Sequence, residues 1–417
     1  MSYLPSDPQL RRYFWIFLVI GIVMRLILVV IVPMYPDYMA NPTEYLAPGY
    51  NDEPLHLQYV RYISEEWDWP IWTADRDSTN FRTGEYLQPP VYYFLAAPLF
   101  KLGHSIRTDW ELHSTRLLSV IFGIIASFFV FFMARLWINN EKIAVGAFAA
   151  MQFSPNTLIF TSLVSNDSMI MATAAIIYFF FIRYHLTQQP ESRCRWVLGS
   201  ALGASVWVKL SGLTLMPLLL FMGRRNDSQI GQWKARILTG LIAVLIALPV
   251  PAWNLYHYGS LSPNMWSQIV PESWPEPLLL GVEKPAIERP YETIKTCVRL
   301  AAMPYEKLWG SSLEKVTSLA WALLWGTILV TGGYLILRQN KLAWIFYYGL
   351  FWSIAGFIVY NIEVFQVEFR LFGPAFPGLA LMSAIGADYL KIPLPLQALL
   401  WCIPVLFIPL YVGYAPF

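Results

Sequence analysis

The sequence is short of charge. Only 13% of its 417 residues are Asp, Glu, Lys or Arg, against about 25% in soluble domains, which excludes an ordinary water-soluble fold. The balance is nearly neutral, with 29 basic and 27 acidic residues and no basic tract, so the electrostatic footprint of nucleic-acid binding is missing. Cysteine is scarce. Cys194, Cys297 and Cys402 lie far apart without metal-ligand spacing, so neither a disulfide framework nor a zinc site organises the chain. No internal repeat or low-complexity segment is visible, and no small-x-small cleavage site follows the first apolar segment. That segment is too long for a signal-peptide core and reads as an uncleaved span.

Apolar residues are what the chain has in plenty: 56% are hydrophobic and 16% aromatic, for a mean hydropathy of +0.46. Many runs reach the roughly 18 to 20 residues that cross a bilayer as a helix. Lipid offers no partner to open backbone groups, so the fold class is all-α and polytopic. Spans are expected over 13–33, 115–137, 143–160, 168–184, 196–208, 210–222, 237–256, 316–337, 343–362, 371–389 and 396–414. The apolar stretch 89–102 is only about 14 residues long and contains Pro98. It is therefore placed in the membrane interface.

On that count Arg11, Arg12, Arg135, Lys142, Arg183, Arg193, Arg195, Arg224, Arg225, Lys234, Arg236, Arg338, Lys341 and Lys391 all fall on one face, as the positive-inside rule asks. The same rule divides 196–222 into an outward and a returning helix, with Lys209-Leu210-Ser211-Gly212 at the outer tip. The expected architecture is one membrane domain over 1–417, with about eleven transmembrane helices. Its N-terminus is cytoplasmic, and no separate soluble domain is read. Large outer loops run over 34–113 and 257–315.

Polar residues gather on the outer face. Asn51-Asp52-Glu53-Pro54-Leu55-His56 opens an amphipathic helix over 54–66, with Asn51 or Asp52 as its cap and Pro54 in its first turn. A solvated cap explains the carboxylates as well as chemistry would. The chemical reading makes Asp52 a general base, tuned by Glu53 and His56 or sharing a metal with them. Glu85 and Gln88 stand at the edge of the apolar stretch that carries Pro89, Pro90, Tyr92 and Tyr93. Ser165-Asn166-Asp167-Ser168 reads as an N-cap. Lys209 and Arg370 are cations at the outer ends of apolar helices, where snorkelling or a phosphate anion would satisfy them. Arg25, at mid-depth in the first span, reads as packing or half of a buried pair. Carboxylates and cations together suit transfer from a lipid-linked phosphate donor. They also suit the pathway of a transporter or lipid flippase.

Several motifs recur in order. They are Asn51-Asp52-Glu53-Pro54-Leu55-His56 with Tyr59-Val60-Arg61-Tyr62, Leu87-Gln88-Pro89-Pro90-Val91-Tyr92-Tyr93, Arg116-Leu117-Leu118-Ser119 and Ser165-Asn166-Asp167. Lys209-Leu210-Ser211-Gly212, Asn254-Leu255-Tyr256-His257-Tyr258-Gly259 and Phe369-Arg370-Leu371-Phe372-Gly373-Pro374-Ala375-Phe376-Pro377 follow. In this the chain resembles the GT-C integral-membrane glycosyltransferases, in the branch of protein O-mannosyltransferases and the aminoarabinose transferase of lipid A. The resemblance implies a GT-C-type bundle, a catalytic aspartate at Asp52 and a second acidic position at Asp167. It also implies a sugar donor on a polyprenyl monophosphate, transferred with inversion.

On this reading Lys209 and Arg370 hold the donor phosphate. Glu53, His56, Glu85 and Asp167 shape the site or bind a divalent ion (Mg, Mn or Zn), and Gln88, Tyr92, Arg61 and Tyr258 line it. The partners are the donor, a glycan, lipid or protein acceptor, and membrane lipids, with no nucleic acid. Gln88 stands where relatives often carry His or Lys, which weakens a direct phosphate or base contact there.

Overall fold

A computed structural model describes residues 4–32, 53–71, 85–186, 191–222, 228–261, 312–339, 347, 350–355 and 373–406. Asp52 and Arg370 lie outside them. Among the described residues the regular structure is helical throughout. The order is α1 (Pro8–Ile31), α2 (Glu53–Glu66), α3 (Val91–Ile106), α4 (Trp110–Ile138), α5 (Glu141–Phe153), α6 (Pro155–Phe160), α7 (Asn166–Leu186) and α8 (Glu191–Val208). A 3₁₀ helix (Leu210–Phe221) follows, then α9 (Gln229–Ala247), α10 (Pro249–Tyr258), α11 (Ser312–Gln339), α12 (Phe376–Tyr389) and α13 (Leu394–Leu406).

Four of these, α1, α4, α7 and α9, are long and apolar enough to cross a bilayer. Other expected spans are broken at prolines, which remove an N–H from the helix ladder. The stretch expected at 143–160 divides into α5 and α6 at Ser154-Pro155, and Ser154 leaves the helical region with ψ 128°. The stretch at 237–256 divides into α9 and α10 at Leu248-Pro249.

Aromatic and small residues set the core. Phe14 of α1 packs on Phe148 of α5, with centroids 4.5 Å apart, and on Phe131 of α4. Phe179 of α7 meets Phe129 of α4. One end of the bundle is basic. There Arg135 and the amides of Ser6 and Asp7 converge on Glu141, and Lys142 pairs with Asp388 at the end of α12. Burial pushes the Glu141 carboxyl up, but those amides, the Ser6 hydroxyl and Arg135 hold it below its ordinary value.

The expected hairpin over 196–222 is present. Gly199 packs on Thr239 and Ile242, Gly203 on Ala243 and Ile246, and Trp207 donates to the Ile246 carbonyl at 2.6 Å. So α8 and α9 run parallel, and the 3₁₀ helix between them returns to the basic end, where Arg236 donates to the Met222 carbonyl.

The α3 helix slants across the end of α4. Tyr92 meets Ser119 while Gly103 meets Ser114. Those residues are about 16 Å apart along α3 but only about 7 Å apart along α4. One expectation is reversed. Side chains on Gly332 and Gly386 would strike the carbonyls of Met382 and Ile328, so α11 and α12 cross antiparallel at bare backbone. Because α12 ends at Lys142, Arg338 points away from the basic end.

Candidate active site

At the opposite end of the bundle the polar motifs meet. The amphipathic reading of α2 holds: Leu55, Tyr59 and Ile63 are buried and Arg61 and Glu65 exposed. Glu53, in its first turn, is buried and bound by Arg116 of α4 in a two-pronged pair, Nε to Oε1 at 2.7 Å and Nη2 to Oε2 at 2.6 Å. Such parallel contacts are the strong form of an ion pair. The Val164 amide adds a third donor to Glu53 at 2.8 Å. Arg116 also donates to the carbonyls of Val29 and Val32, where α1 ends. Glu53 is thus a fixed anchor, and Asp52 is its neighbour in the sequence.

The second pair joins Asp167 of α7 to Lys209, at 2.6 Å, with both side chains buried. Lys209 is therefore not the lone cation expected from sequence. Ser165 caps α7 as the motif suggests: its Oγ accepts from the Asp167 amide at 3.1 Å and donates to Asp167 Oδ2 at 2.9 Å. The acidic first turn also faces the positive end of the helix dipole. An ammonium has three N–H donors, so Asp167 orients Lys209 without exhausting it.

Tyr92 links the two pairs. Its hydroxyl lies 2.8 Å from Ser119 Oγ and accepts from the Ser165 amide at 3.1 Å. Around it Tyr59 stacks on Tyr93 with centroids 3.8 Å apart, and the Tyr59 hydroxyl donates to the Gln88 carbonyl. Burial, with Tyr258, Tyr86 and Glu85 nearby, pushes the Tyr59 phenol well above its ordinary value. It stays a neutral donor. His56 Nδ1 lies 2.7 Å from the Tyr93 hydroxyl and 3.5 Å from Glu85 Oε2. Gln88 Oε1 sits 3.5 Å from Asn166 Nδ2.

The structure thus gathers Glu53, His56, Glu85, Gln88, Tyr92, Asp167 and Lys209, with Tyr258 at the edge of the same aromatic cluster. Arg61 is elsewhere: it points outward, 54% exposed, to Glu111. Sequence reasoning quoted Arg116 in a motif but gave it no place in the site. Ser119 stands in the same motif and was likewise given no place, while the backbone of 164–165 carried no signal of its own. Glu53 and Asp167 are each bound to a cation of the chain. Among the described residues no group of three or more His, Cys, Asp or Glu could hold a metal ion.

Residues 87–253 match the family model for dolichyl-phosphate-mannose-protein mannosyltransferases. Among solved structures, ArnT from Cupriavidus metallidurans matches in its apo state with TM-score 0.56 at 14% identity, over 89% of this chain and 59% of that one. The same enzyme bound to undecaprenyl phosphate matches with TM-score 0.55, also at 14% identity and over the same shares. The apo oligosaccharyltransferase of Archaeoglobus fulgidus matches with TM-score 0.50 at 13% identity, over 96% of this chain and 55% of that one. The chain therefore spans under two thirds of the length of these structures. No curated protein matches it in sequence. At this identity the structural matches establish a shared fold.

Proposed function

We propose, on the premise that this is a multi-pass membrane protein with the GT-C glycosyltransferase fold, that it transfers a sugar from a polyprenyl-phosphate donor to an acceptor hydroxyl. The observation that carries this is the junction of the two buried pairs, Glu53–Arg116 and Asp167–Lys209, at one end of the bundle, where Glu53 is the sequence neighbour of Asp52. The family match over 87–253 supports it. So does the printed ligand of ArnT, undecaprenyl phosphate.

In this mechanism Asp52 takes the proton from the acceptor hydroxyl. The acceptor oxygen bonds to the anomeric carbon from the face opposite the phosphate, the carbon–phosphate oxygen bond breaks, and polyprenyl phosphate leaves with inversion. Lys209 and Arg370 stabilise the charge that grows on that phosphate. Glu53 fixes the first turn of α2, and with it the base. Tyr92, Gln88 and Tyr258 line the sugar, while His56 and Glu85 shape the wall. The acceptor is a glycan, lipid or protein hydroxyl. The site lies on the outer side of a cytoplasmic membrane, with the N-terminus inside and the basic end facing the cytoplasm.

The test uses purified full-length protein and undecaprenyl phosphate as probe. The parent should bind the probe, and Lys209→Met should weaken binding by roughly 10- to 100-fold, the range of a charged hydrogen bond. In liposomes carrying polyprenyl-phosphate sugars, a new glycosidic product should form. Lipid or solute movement without that product would establish a transporter and overturn the reading.

A further inference from the structure

The mechanism leaves Arg25 unused. It is fully buried in α1, about 6 to 10 Å deeper than the Val29 and Val32 carbonyls that hold Arg116. A charge at such depth is costly and is ordinarily tied to a function. Its partners are neutral. Nε donates to Thr161 Oγ1 at 2.8 Å, and Nη1 donates to the Gly21 carbonyl at 3.0 Å and to Gln152 Oε1.

Thr161 is a strategic partner because α6 ends there. From its other side α4 closes on it through Gly123. A Cβ at Gly123 would come within 2.6 Å of Thr161 Cβ and 2.7 Å of Oγ1. Thr161 Oγ1 also donates to the Thr157 carbonyl at 2.6 Å, so a β-branched side chain already stiff at χ1 is gripped on three sides. Beyond it the chain runs through 162–165 without regular structure before α7 begins. Within that short bend the Val164 amide is given to Glu53 and the Ser165 amide to Tyr92. Where those amides sit depends on where Thr161 is held.

We propose that Arg25, Thr161 and Gly123 form a clamp within the bundle that sets the position of the 161–165 bend, and through it the active site. Arg25 is then a positioning residue for the transfer, an inference that rests on the transfer reading. A buried guanidinium serves because its planar fork can tie α1, α5 and the end of α6 together at once.

The experiment compares Thr161→Val, which removes the hydroxyl but keeps the shape, with Thr161→Ser, which keeps the hydroxyl. Both are made in the full-length protein. Hydrogen exchange is followed in peptides covering 162–166, with kcat and undecaprenyl phosphate affinity in parallel. Thr161→Val should speed exchange there about tenfold, as expected for loss of a net hydrogen bond. It should lower kcat on the order of 100-fold, as misplacement of reacting groups does, with little change in affinity. Thr161→Ser should restore both. Arg25→Lys, which keeps the charge but loses the fork, should resemble Thr161→Val and decides the matter if that variant does not accumulate.

Unchanged exchange and kcat in Thr161→Val, or in Arg25→Lys when that variant stands in for it, would overturn the clamp. So would a Thr161→Ser protein as impaired as Thr161→Val, since packing rather than the hydroxyl would then hold the bend. The two readings separate at Asp52→Asn. An active Asp52→Asn sinks the transfer mechanism but leaves the exchange result, and with it the clamp, standing.

Discussion

Arg116 carries the heaviest structural duty of any residue at the site. Its guanidinium binds both oxygens of Glu53 and two carbonyls at the end of α1, all in a buried setting. Removing it strands a buried carboxylate, which costs about 3 to 5 kcal/mol. Arg116→Ala should therefore lower the melting temperature in detergent, and pairing it with Glu53→Gln should recover part of the loss. Additive losses in the double variant would mean that the pair is not a unit. At this scale the sequence showed the residue types but not the partners. Glu53 reads as support from its place beside Asp52, yet its cation lies 63 positions away. Likewise Asp167 and Lys209 read as separate features until folding brings α7 and the tip of α8 together. Arg61 failed for the opposite reason. It lies in a motif near the site but on the wet face of an amphipathic helix, and Glu111 takes it.

Among the elements, hydropathy and proline carried most of the information. The α2 helix and the return at Lys209 were both legible from periodicity, length and the placing of Arg and Lys, whereas the slant of α3 across α4 was not. The break at Ser154-Pro155 was not expected, since 143–160 is long enough and apolar enough to read as one span. That break matters because it lets 161–165 leave the helix and offer amides to the site. The direction of α11 was misread because charge on a short loop was the only guide. The contact that sets it is two glycines meeting in space.

The hairpin supports a direct labelling prediction. Single cysteines at Arg195 and Ile230, near the starts of α8 and α9, should react with an impermeant reagent from the same side of sealed vesicles. One at Leu261, past α10, should react from the opposite side. Labelling of positions 195 and 230 from different sides would rule out the out-and-back path.

The whole molecule joins an apolar scaffold to one polar junction. Its fold is shared with ArnT and with the archaeal oligosaccharyltransferase at 14% identity or less. The shared feature is an arrangement of helices. Hydropathy made the class legible. The ordered motifs narrowed it, because a carboxylate loop, a Pro-Pro segment, an acidic cap and a cationic tip in that order have few architectures in common. Acceptor choice was not legible, since neither pattern nor packing names an acceptor.

Asp52 tests the account most directly. Purified Asp52→Asn, a near-isosteric change, should fold, keep the parent's melting temperature within a few degrees and still bind undecaprenyl phosphate. Its rate of sugar transfer from a polyprenyl-phosphate donor should fall by about 100-fold or more, the contribution of a general base. Transfer at the parent rate by a folded Asp52→Asn protein would contradict the mechanism.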